Sequence, residues 1–342
     1  MVPRPTNVSI EVRQADALTF EADLLAVKYA QALYGVDRAV VEALHRYHPD
    51  LNDLLPKVNG FRLLESRGSI AARMVLFVGV KALREFGYAD IREFGRKVLV
   101  SLAGEAAHVR HVALTLHGAG YGLDESEAFE SEVAGLMDAI TSGDIPRALC
   151  RITIVELNPG RASRLQDLLG QLIAGGQIST DAQKAGQSYG RSVDESLRSV
   201  GYTSASKPFV FVAMPFVQSM EDVFHYGIRN AVKEAGLLCE RADQSSFTGD
   251  VLDWVRERIA AATLVVADLT SANPNVYLEV GYAWGCGKPT VLIAAEASDL
   301  TFDVKSQRCL IYHGSIKSLE EMLRTELVAL RDEDRAGLLR LP

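Results

Sequence analysis

Four polar residues between positions 267 and 285, in the sequence ADLTSANPNVYLEVGYAWG, have types and spacings that suit chemistry on a sugar. Asp268 ends an apolar run, and Asn273 and Asn275 follow it in a turn. Glu279 is the one acidic residue of the apolar helical pattern that comes next. Cleavage of an N-ribosyl bond leaves an oxocarbenium-like sugar, which a nearby carboxylate can stabilise or attack covalently. Glu279 is therefore the candidate catalytic carboxylate.

The neighbouring polar residues suit the remaining roles in such a reaction. The leaving base needs a proton or a hydrogen bond, which Asp268 or Asp243 could supply if its pKa is raised. The amides of Asn273 and Asn275 offer donors and acceptors for sugar hydroxyls or phosphate oxygens. Structural roles are the alternatives: Glu279 as a capping residue at the third helical position, the asparagines as turn and cap residues, and Asp268 as a cap of the loop.

The elements around these residues alternate between apolar strands and helices. Strands are predicted at residues 209–214, 237–243, 263–269, 289–294 and 308–313. This alternation indicates a parallel sheet covered on both faces, and right-handed crossovers then give a flavodoxin-like sheet of about five strands. Ligands bind such sheets at the carboxyl ends of the strands. Those ends carry Met214, Pro215, Phe216, Asp243 and Asp268, which we expect on one rim.

Residues 207–330 carry a resemblance to a known family. The runs FVFVAMPF, RAD and ADLTSANPNVYLEVGYAWGCGKPTVLI resemble the nucleoside 2-deoxyribosyltransferase-like superfamily, an N-glycosidase group related to TIR domains. The resemblance implies that Glu279 is the nucleophile, that Asp268 is the family's strand-end aspartate, and that Met214, Pro215 and Phe216 bind the nucleoside. AMPF replaces the tyrosine or glycine-rich turn frequent in the transferases, so hydrolysis or binding without reaction is open beside base exchange.

The N-terminal half also has an α/β pattern. Strands are predicted at residues 9–16, 23–30, 74–80, 111–117 and 151–157, and helices at 36–47 and 124–140. GAGYG, at residues 118–122, lies between a strand and a helix, where backbone N–H groups can wrap a phosphate. The alternative is a tight turn that needs positive φ.

Residues 8–173 resemble a macro domain, more weakly than residues 207–330 resemble the transferase-like superfamily. The resemblance implies a mixed sheet. The carrying stretches are IEVRQADALTFEADLLAV, YGVDRAVVEAL and GAGYG. The resemblance implies nucleotide binding by Asp16, Gly35, Val36, Gly118, Gly120, Tyr121 and Gly122. KYAQAL replaces the family's Asn-rich stretch after the second strand, which argues against ADP-ribosyl hydrolysis. A macro-like fold without a ligand is the alternative.

Composition narrows the function classes. The chain has 342 residues, of which 48% are hydrophobic, enough for two cores, and a net charge of −8. No basic run suggests nucleic acid as a partner. Neither a signal peptide nor an apolar segment of about 18 residues is found, so we expect no membrane partner and a cytoplasmic location. The four cysteines form no CxxC pair, and we expect neither a metal nor a cofactor.

These patterns predict a macro-like nucleotide-binding sensor at residues 1–174, a linker at 175–207, and a transferase-like, TIR-related domain at 208–342. The favoured function is a nucleotide-sensing N-glycosidase that cleaves NAD or another nucleotide. We expect it to respond to an ADP-ribose-like signal, to form a homo-oligomer and to serve in bacterial antiphage defence. The alternatives are a non-catalytic module that binds nucleotides and oligomerises, or a nucleoside 2-deoxyribosyltransferase. The base, the sugar and the activating ligand are left open.

Overall fold

The computed structural model describes residues 7–173, 176–179, 197–241 and 251–335. The chain divides into two compact units. The first consists of Met1–Gly120 with Glu125–Ala205, and the second of Tyr121–Asp124 with Ser206–Pro342. Among the helices in these ranges, none is long and apolar enough to cross a membrane.

The first unit is built on a mixed sheet. Its seven strands are β1 (Asn7–Gln14), β2 (Leu24–Tyr29), β3 (Phe61–Glu65), β4 (Met74–Gly79), β5 (His111–Leu114), β6 (Arg151–Glu156) and β7 (Gln177–Ser179). They lie in the order β3-β4-β2-β5-β6-β1-β7. The five central strands are parallel, whereas β3 and β7 are antiparallel to their neighbours. The predicted mixed sheet is confirmed.

The helices of the first unit are α1 (Val36–Leu44), α2 (Leu51–Leu54), α3 (Tyr88–Glu105), α4 (Glu125–Ser142) and α5 (Pro159–Leu172). The first five residues of β2 are buried, because both faces of the central strands are covered. Helices α3 and α4 approach closely: a Cβ on Gly135 would lie 1.9 Å from the carbonyl oxygen of Arg92.

Two parts of the predicted linker belong to the first unit. Strand β7 pairs antiparallel with β1, and Ile178 is fully buried. Residues 197–200 are held by the buried Arg92, whose Nη1 donates to the carbonyl oxygens of Leu197 (2.8 Å) and Val200 (2.6 Å). The sequence did not show this because β7 is too short for a periodic pattern and the anchor of residues 197–200 is a distant arginine.

The second unit is built on an all-parallel sheet. Its strands are β8 (Phe209–Ala213), β9 (Leu238–Arg241), β10 (Leu264–Asp268), β11 (Thr290–Ala294) and β12 (Cys309–Ile311), in the order β12-β11-β10-β8-β9. Counted along this unit, the spatial order is 2-1-3-4-5, which is the flavodoxin-like order. The predicted five-stranded parallel sheet is confirmed.

Helices cover both faces of the second sheet. They are a π-helical turn (Val223–Ile228) that continues into α6 (Arg229–Glu234), then α7 (Val251–Ala261), α8 (Pro274–Gly285) and α9 (Ile316–Arg335). One core joins the π turn, α6 and α9 to the sheet, and the other joins α7 and α8 to the opposite face. Helix α8 follows β10 directly, so the polar stretch at 268–279 lies at the carboxyl edge of the sheet.

A glutamate without ordinary hydrogen bonds lies in the core of the first unit. Glu132, on α4, is 0% exposed. Neither of its carboxyl oxygens has a hydrogen-bond partner of ordinary geometry among the described residues. Burial raises the pKa of this carboxyl well above its usual value, opposed only weakly by the backbone N–H of His117. The folded unit therefore holds Glu132 as a neutral acid over a range of pH in which the unfolded chain ionises it.

Replacing Glu132 with glutamine should change how stability depends on pH. Below about pH 4.5 both states of the wild type bind the proton, so the variant shows only a constant offset. Above that pH the unfolded wild type loses the proton first, and Glu132→Gln should gain about 1.4 kcal/mol of stability over the wild type per pH unit up to the folded pKa.

Urea unfolding followed by circular dichroism measures this effect. The second unit's transition is located separately by fluorescence, since both tryptophans, Trp254 and Trp284, belong to that unit. The exposed Glu105→Gln variant is the control. Parallel pH curves for wild type and Glu132→Gln would contradict the prediction.

Candidate functional site

Asp268 ends β10 and is fully buried. Its Oδ1 accepts a hydrogen bond from the backbone N–H of Thr270 (2.9 Å), and the Tyr312 hydroxyl donates to Oδ2 over 3.4 Å. Burial raises the pKa of the carboxyl, and these hydrogen bonds oppose that rise. The loop-capping alternative is thus confirmed. Both carboxyl oxygens of Asp268 accept hydrogen bonds inside the protein, so Asp268 shapes the loop. A role for Asp268 as the proton donor to the leaving base stays a prediction.

The turn after Asp268 has an unusual backbone. Ser271 and Ala272 have φ values of 64° and 48°, in the left-handed region that residues other than glycine rarely occupy. The Thr270 hydroxyl accepts a hydrogen bond from the backbone N–H of Ala295 at 3.0 Å, which ties the turn to the end of β11. The turn is therefore fixed from two neighbouring strands.

Helix α8 begins at Pro274 with Asn273 as its N-cap. The Asn273 Oδ1 accepts a hydrogen bond from the backbone N–H of Asn275 at 2.9 Å. The capping role considered for Asn273 is thereby confirmed, while Asn275 is exposed. Val276 occupies the third helical position, so the interpretation of Glu279 as the capping residue at that position is wrong.

Glu279 lies beside the buried stripe of α8. Val276, Val280 and Ala283 are buried against the sheet, and the helical period places Glu279 at the flank of this stripe. The side chain is half-buried. Among the described residues the carboxylate has neither a hydrogen-bond nor an ion-pair partner, and burial raises its pKa to about 7. A carboxyl with this pKa can lose its proton at neutral pH and can then face a developing positive charge.

The segment predicted to bind the nucleoside follows β8. Met214 and Pro215 are buried, and Phe216 is half-buried. Phe216 packs against the same core as Val276 and Val280 of α8, so it lies on the sheet face that carries Glu279. Asp243, the other candidate acid, lies outside the residues that the structure describes.

Sequence reasoning missed a charged cluster at the ends of β8 and β9. Arg241 donates from Nη2 to the Glu221 carboxylate at 3.1 Å, and Glu221 also pairs with His225 Nε2 at 3.3 Å. The His225 hydrogen bond first, and then the charge of Arg241, hold the pKa of Glu221 at about 2, against the effect of burial. The only available signal was the RAD motif, because the partners come from separate segments of the sequence.

In the first unit, four of the predicted ligand-binding positions lie in loops that follow the carboxyl ends of parallel strands or at the helix start after such a loop. Asp16 follows β1 and is exposed, and its Oδ1 accepts from the backbone N–H of Leu18 (2.9 Å). Gly35 has φ of 57° and is the N-cap of α1, and Val36 packs against the core. Gly118, after β5, has φ of 91°. Since β1, β5 and β2 are parallel, these loops share one edge of the sheet.

The remaining predicted positions form a turn. Gly120 and Tyr121 lie in a 3-10 turn at Ala119–Tyr121, and Gly122 has φ of 92°. The positive φ values confirm the alternative of a turn that requires glycine. Gly122 belongs to the second unit, where a Cβ would lie 2.3 Å from the Trp254 ring, so its glycine is also required by packing.

An electrostatic interaction between a buried lysine and a buried aspartate was not predicted. Lys28, on β2, and Asp37, in the first turn of α1, are both buried and their charges attract each other. Burial lowers the pKa of Lys28 and raises that of Asp37, and each partner opposes the shift of the other. Asp37 Oδ1 also accepts from the backbone N–H of Tyr34 at 3.1 Å, which fixes the loop before α1.

No group of three or more His, Cys, Asp or Glu side chains is arranged to hold a metal ion within the ranges that the structure describes.

Comparison with solved structures finds macrodomains that match the N-terminal half. The Trypanosoma brucei macrodomain in complex with ADP-ribose is 16% identical, with a TM-score of 0.38 over 47% of this chain and 69% of that chain. The Oceanobacillus iheyensis macrodomain with ADP is 14% identical, with a TM-score of 0.39 over 48% and 90%. The macro domain of ganglioside induced differentiation associated protein 2 is 15% identical, with a TM-score of 0.36 over 47% and 83%.

The strand order of the mixed sheet defines the fold of the first unit. No protein-family model matches the chain. A search of curated proteins gives no match either.

Replacing Asp268 with alanine should destabilise the second unit by about 2–4 kcal/mol, because the Thr270 N–H and the Tyr312 hydroxyl lose their acceptor in a buried place. Tyr312→Phe should cost less, about 1 kcal/mol, since it removes two long hydrogen bonds, one to Asp268 Oδ2 and one shared with the Thr270 hydroxyl, but leaves the turn closed through the Thr270 N–H. Urea unfolding followed by tryptophan fluorescence measures both. Equal losses in the two variants would show that Asp268 does not hold the turn through Thr270.

Proposed function

We propose that the chain is a nucleotide-sensing N-glycosidase, in which the second unit cleaves the N-ribosyl bond of NAD or a related nucleotide. The observation that carries this proposal is the Glu279 carboxyl. It is half-buried at the carboxyl edge of a flavodoxin-like sheet, it has no partner among the described residues, and burial raises its pKa to about 7. The resemblance of residues 207–330 to the nucleoside 2-deoxyribosyltransferase-like superfamily supports the same role.

In the proposed reaction, the Glu279 carboxylate stabilises or attacks the anomeric carbon while the bond from that carbon to the base nitrogen breaks. The base leaves with the bonding electron pair, and water then supplies the hydroxyl of the free sugar. Nicotinamide in NAD carries a positive charge, so it departs as a neutral molecule without needing a proton. Asp268 is buried with both oxygens engaged, which favours such a substrate over a nucleoside whose base must be protonated.

The first unit is proposed to bind the signal. Asp16, Gly35 and Gly118 lie at one edge of its sheet, after the ends of parallel strands, where such folds bind ligands. The macro-domain resemblance of residues 8–173 makes ADP-ribose the first candidate. Signal-dependent destruction of NAD suits an effector of bacterial antiphage defence, which is the biological setting that we propose.

A non-catalytic module that oligomerises on ligand binding is the second candidate. Two observations favour it: Asp268 is engaged inside the protein, and several large apolar side chains of the second unit are exposed. Leu278 is 58% exposed, Trp284 37% and Phe302 88%. Such side chains suit self-association. This candidate predicts that ADP-ribose raises the mass of the protein measured by sedimentation velocity while NAD stays intact. An unchanged mass with NAD intact would exclude, for ADP-ribose as the signal, both the glycosidase and the oligomerising module.

Replacing Glu279 with glutamine should reduce nicotinamide release by at least about 100-fold, because the neutral amide neither attacks nor neutralises the sugar cation. Release is measured by chromatography of NAD incubated with the full chain and ADP-ribose, and an added free base tests for exchange. The exposed Glu257→Gln variant is the matched control. Full activity of Glu279→Gln would refute the catalytic role.

The same assay should show a defined pH dependence. The active form is the carboxylate, so the rate should rise with pH, by about tenfold per unit below pH 7, and level off above it, following the Glu279 pKa of about 7. A rate that falls as pH rises through 7 would mean that the protonated form is active, which contradicts a nucleophilic or charge-stabilising Glu279.

A further inference from the structure

The carboxyl end of β9 carries an arginine that the proposed bond cleavage does not use. The Arg241 side chain is 11% exposed. Its guanidinium carbon lies 3.9 Å from the centroid of the Phe224 ring and 5.5 Å from that of Phe216. Aromatic rings attract and orient a guanidinium through their π faces, so these two rings hold the cation in place.

The hydrogen bonds that Arg241 makes with described residues use only part of its donor capacity. Nη2 donates to the Glu221 carboxylate at 3.1 and 3.4 Å. Nη1 faces the Met214 sulfur at 3.8 Å, which is a weak acceptor. Nε has no acceptor among the residues that the structure describes. A guanidinium has five N–H donors, and a mostly buried cation with unmet donors gains strongly from an oxygen anion.

The cluster is built to fix Arg241 rather than to neutralise it fully. Glu221 is shared, because His225 Nε2 lies 3.3 Å from its other oxygen. Phe224 and His225 both come from the π-helical turn Val223–Ile228, and π turns are frequent at functional sites. The wide turn therefore supplies both the ring that stacks on the guanidinium and the second donor to Glu221.

Arg241 also lies where a ligand of this sheet is expected. It pairs with Val212 across β8 and β9, and β8 continues into Met214 and Phe216. Both residues contact Arg241, and both belong to the segment predicted to bind the nucleoside. A positive charge at the strand ends beside that segment suits the phosphate of a nucleotide.

We propose that Arg241 is the phosphate anchor of the second unit and that it restricts the ligands of this site to nucleotides, excluding nucleosides. The identification of the ligand as a nucleotide rests on the proposed function. The planar guanidinium matches the oxygens of a phosphate, whereas a nucleoside offers it no charge. Arg241 acts here as a specificity-determining residue and takes no part in breaking the N-ribosyl bond.

The second unit contains a matched control for this arginine. Arg258, on α7, also stacks on an aromatic ring, with its guanidinium carbon 4.3 Å from the Phe209 centroid, and also pairs with a carboxylate, that of the buried Glu240. Glu240 precedes Arg241 in β9, and successive side chains of a strand point to opposite faces, so this second cluster lies on the other face of the sheet. Arg258→Gln should therefore resemble Arg241→Gln in its effect on folding and differ from it in ligand binding.

The test is peptide-resolved hydrogen exchange of the full chain with nicotinamide mononucleotide or adenosine 5′-monophosphate, each compared with its nucleoside. In the wild type and in Arg258→Gln, the nucleotides should slow hydrogen exchange in residues 209–228. The apparent Kd obtained from the ligand dependence of this exchange should be at least about tenfold lower for the nucleotides than for the nucleosides. Arg241→Gln should lose this difference. Exchange at residues 209–228 reports the second unit, so binding to the first unit does not interfere.

Three results would each overturn the proposal. They are equal protection by nucleotides and nucleosides, an unchanged response in Arg241→Gln, and no protection of residues 209–228 by any ligand. If Arg241→Gln does not fold, Arg241→Lys keeps the charge without the planar fork and should weaken nucleotide binding alone.

The anchor and the glycosidase can fail separately. Phosphate-dependent protection without nicotinamide release would refute the glycosidase and leave the anchor standing. Equal cleavage rates for nucleosides and nucleotides would refute the anchor and leave the glycosidase standing.

Discussion

The buried carboxylate of Asp268 is the interaction on which the candidate site of the second unit depends. It closes the turn after β10 through Thr270, whose hydroxyl in turn accepts a hydrogen bond from the end of β11. Only such a brace holds Ser271 and Ala272 in the left-handed region. The turn sets where α8 begins, and the start of α8 sets which side of the helix Glu279 occupies. A buried acid thus positions a second, half-buried acid eleven residues later along the chain.

Buried charge organises the first unit in a similar way. Lys28 comes from β2 and Asp37 from the first turn of α1, so their attraction joins a strand end to the helix that follows it. Lys28 is buried and does not face solvent, and the loop before α1 is fixed by the hydrogen bond from the Tyr34 N–H to Asp37.

The sequence predicted most of the architecture because the alternation of apolar strands and helices is strong in both halves. It did not reveal β3, whose side chains are mostly exposed, or β7, which has three residues. The Arg241 cluster was beyond sequence reasoning for a different reason. Its members come from the loop after β8, the π-helical segment and the end of β9, and only the fold brings them together.

The π-helical turn at Val223–Ile228 makes this part of the chain sensitive to length. A π turn holds one residue more than an α-helical turn, so deleting a single residue there would let the segment relax into a regular α-helix. Each residue of an α-helix advances by about 100° around its axis. A shift of one residue would therefore turn the Phe224 ring away from Arg241 and the His225 imidazole away from Glu221 by more than a quarter of a revolution. Relatives that keep this arrangement should therefore keep the number of residues in this segment unchanged.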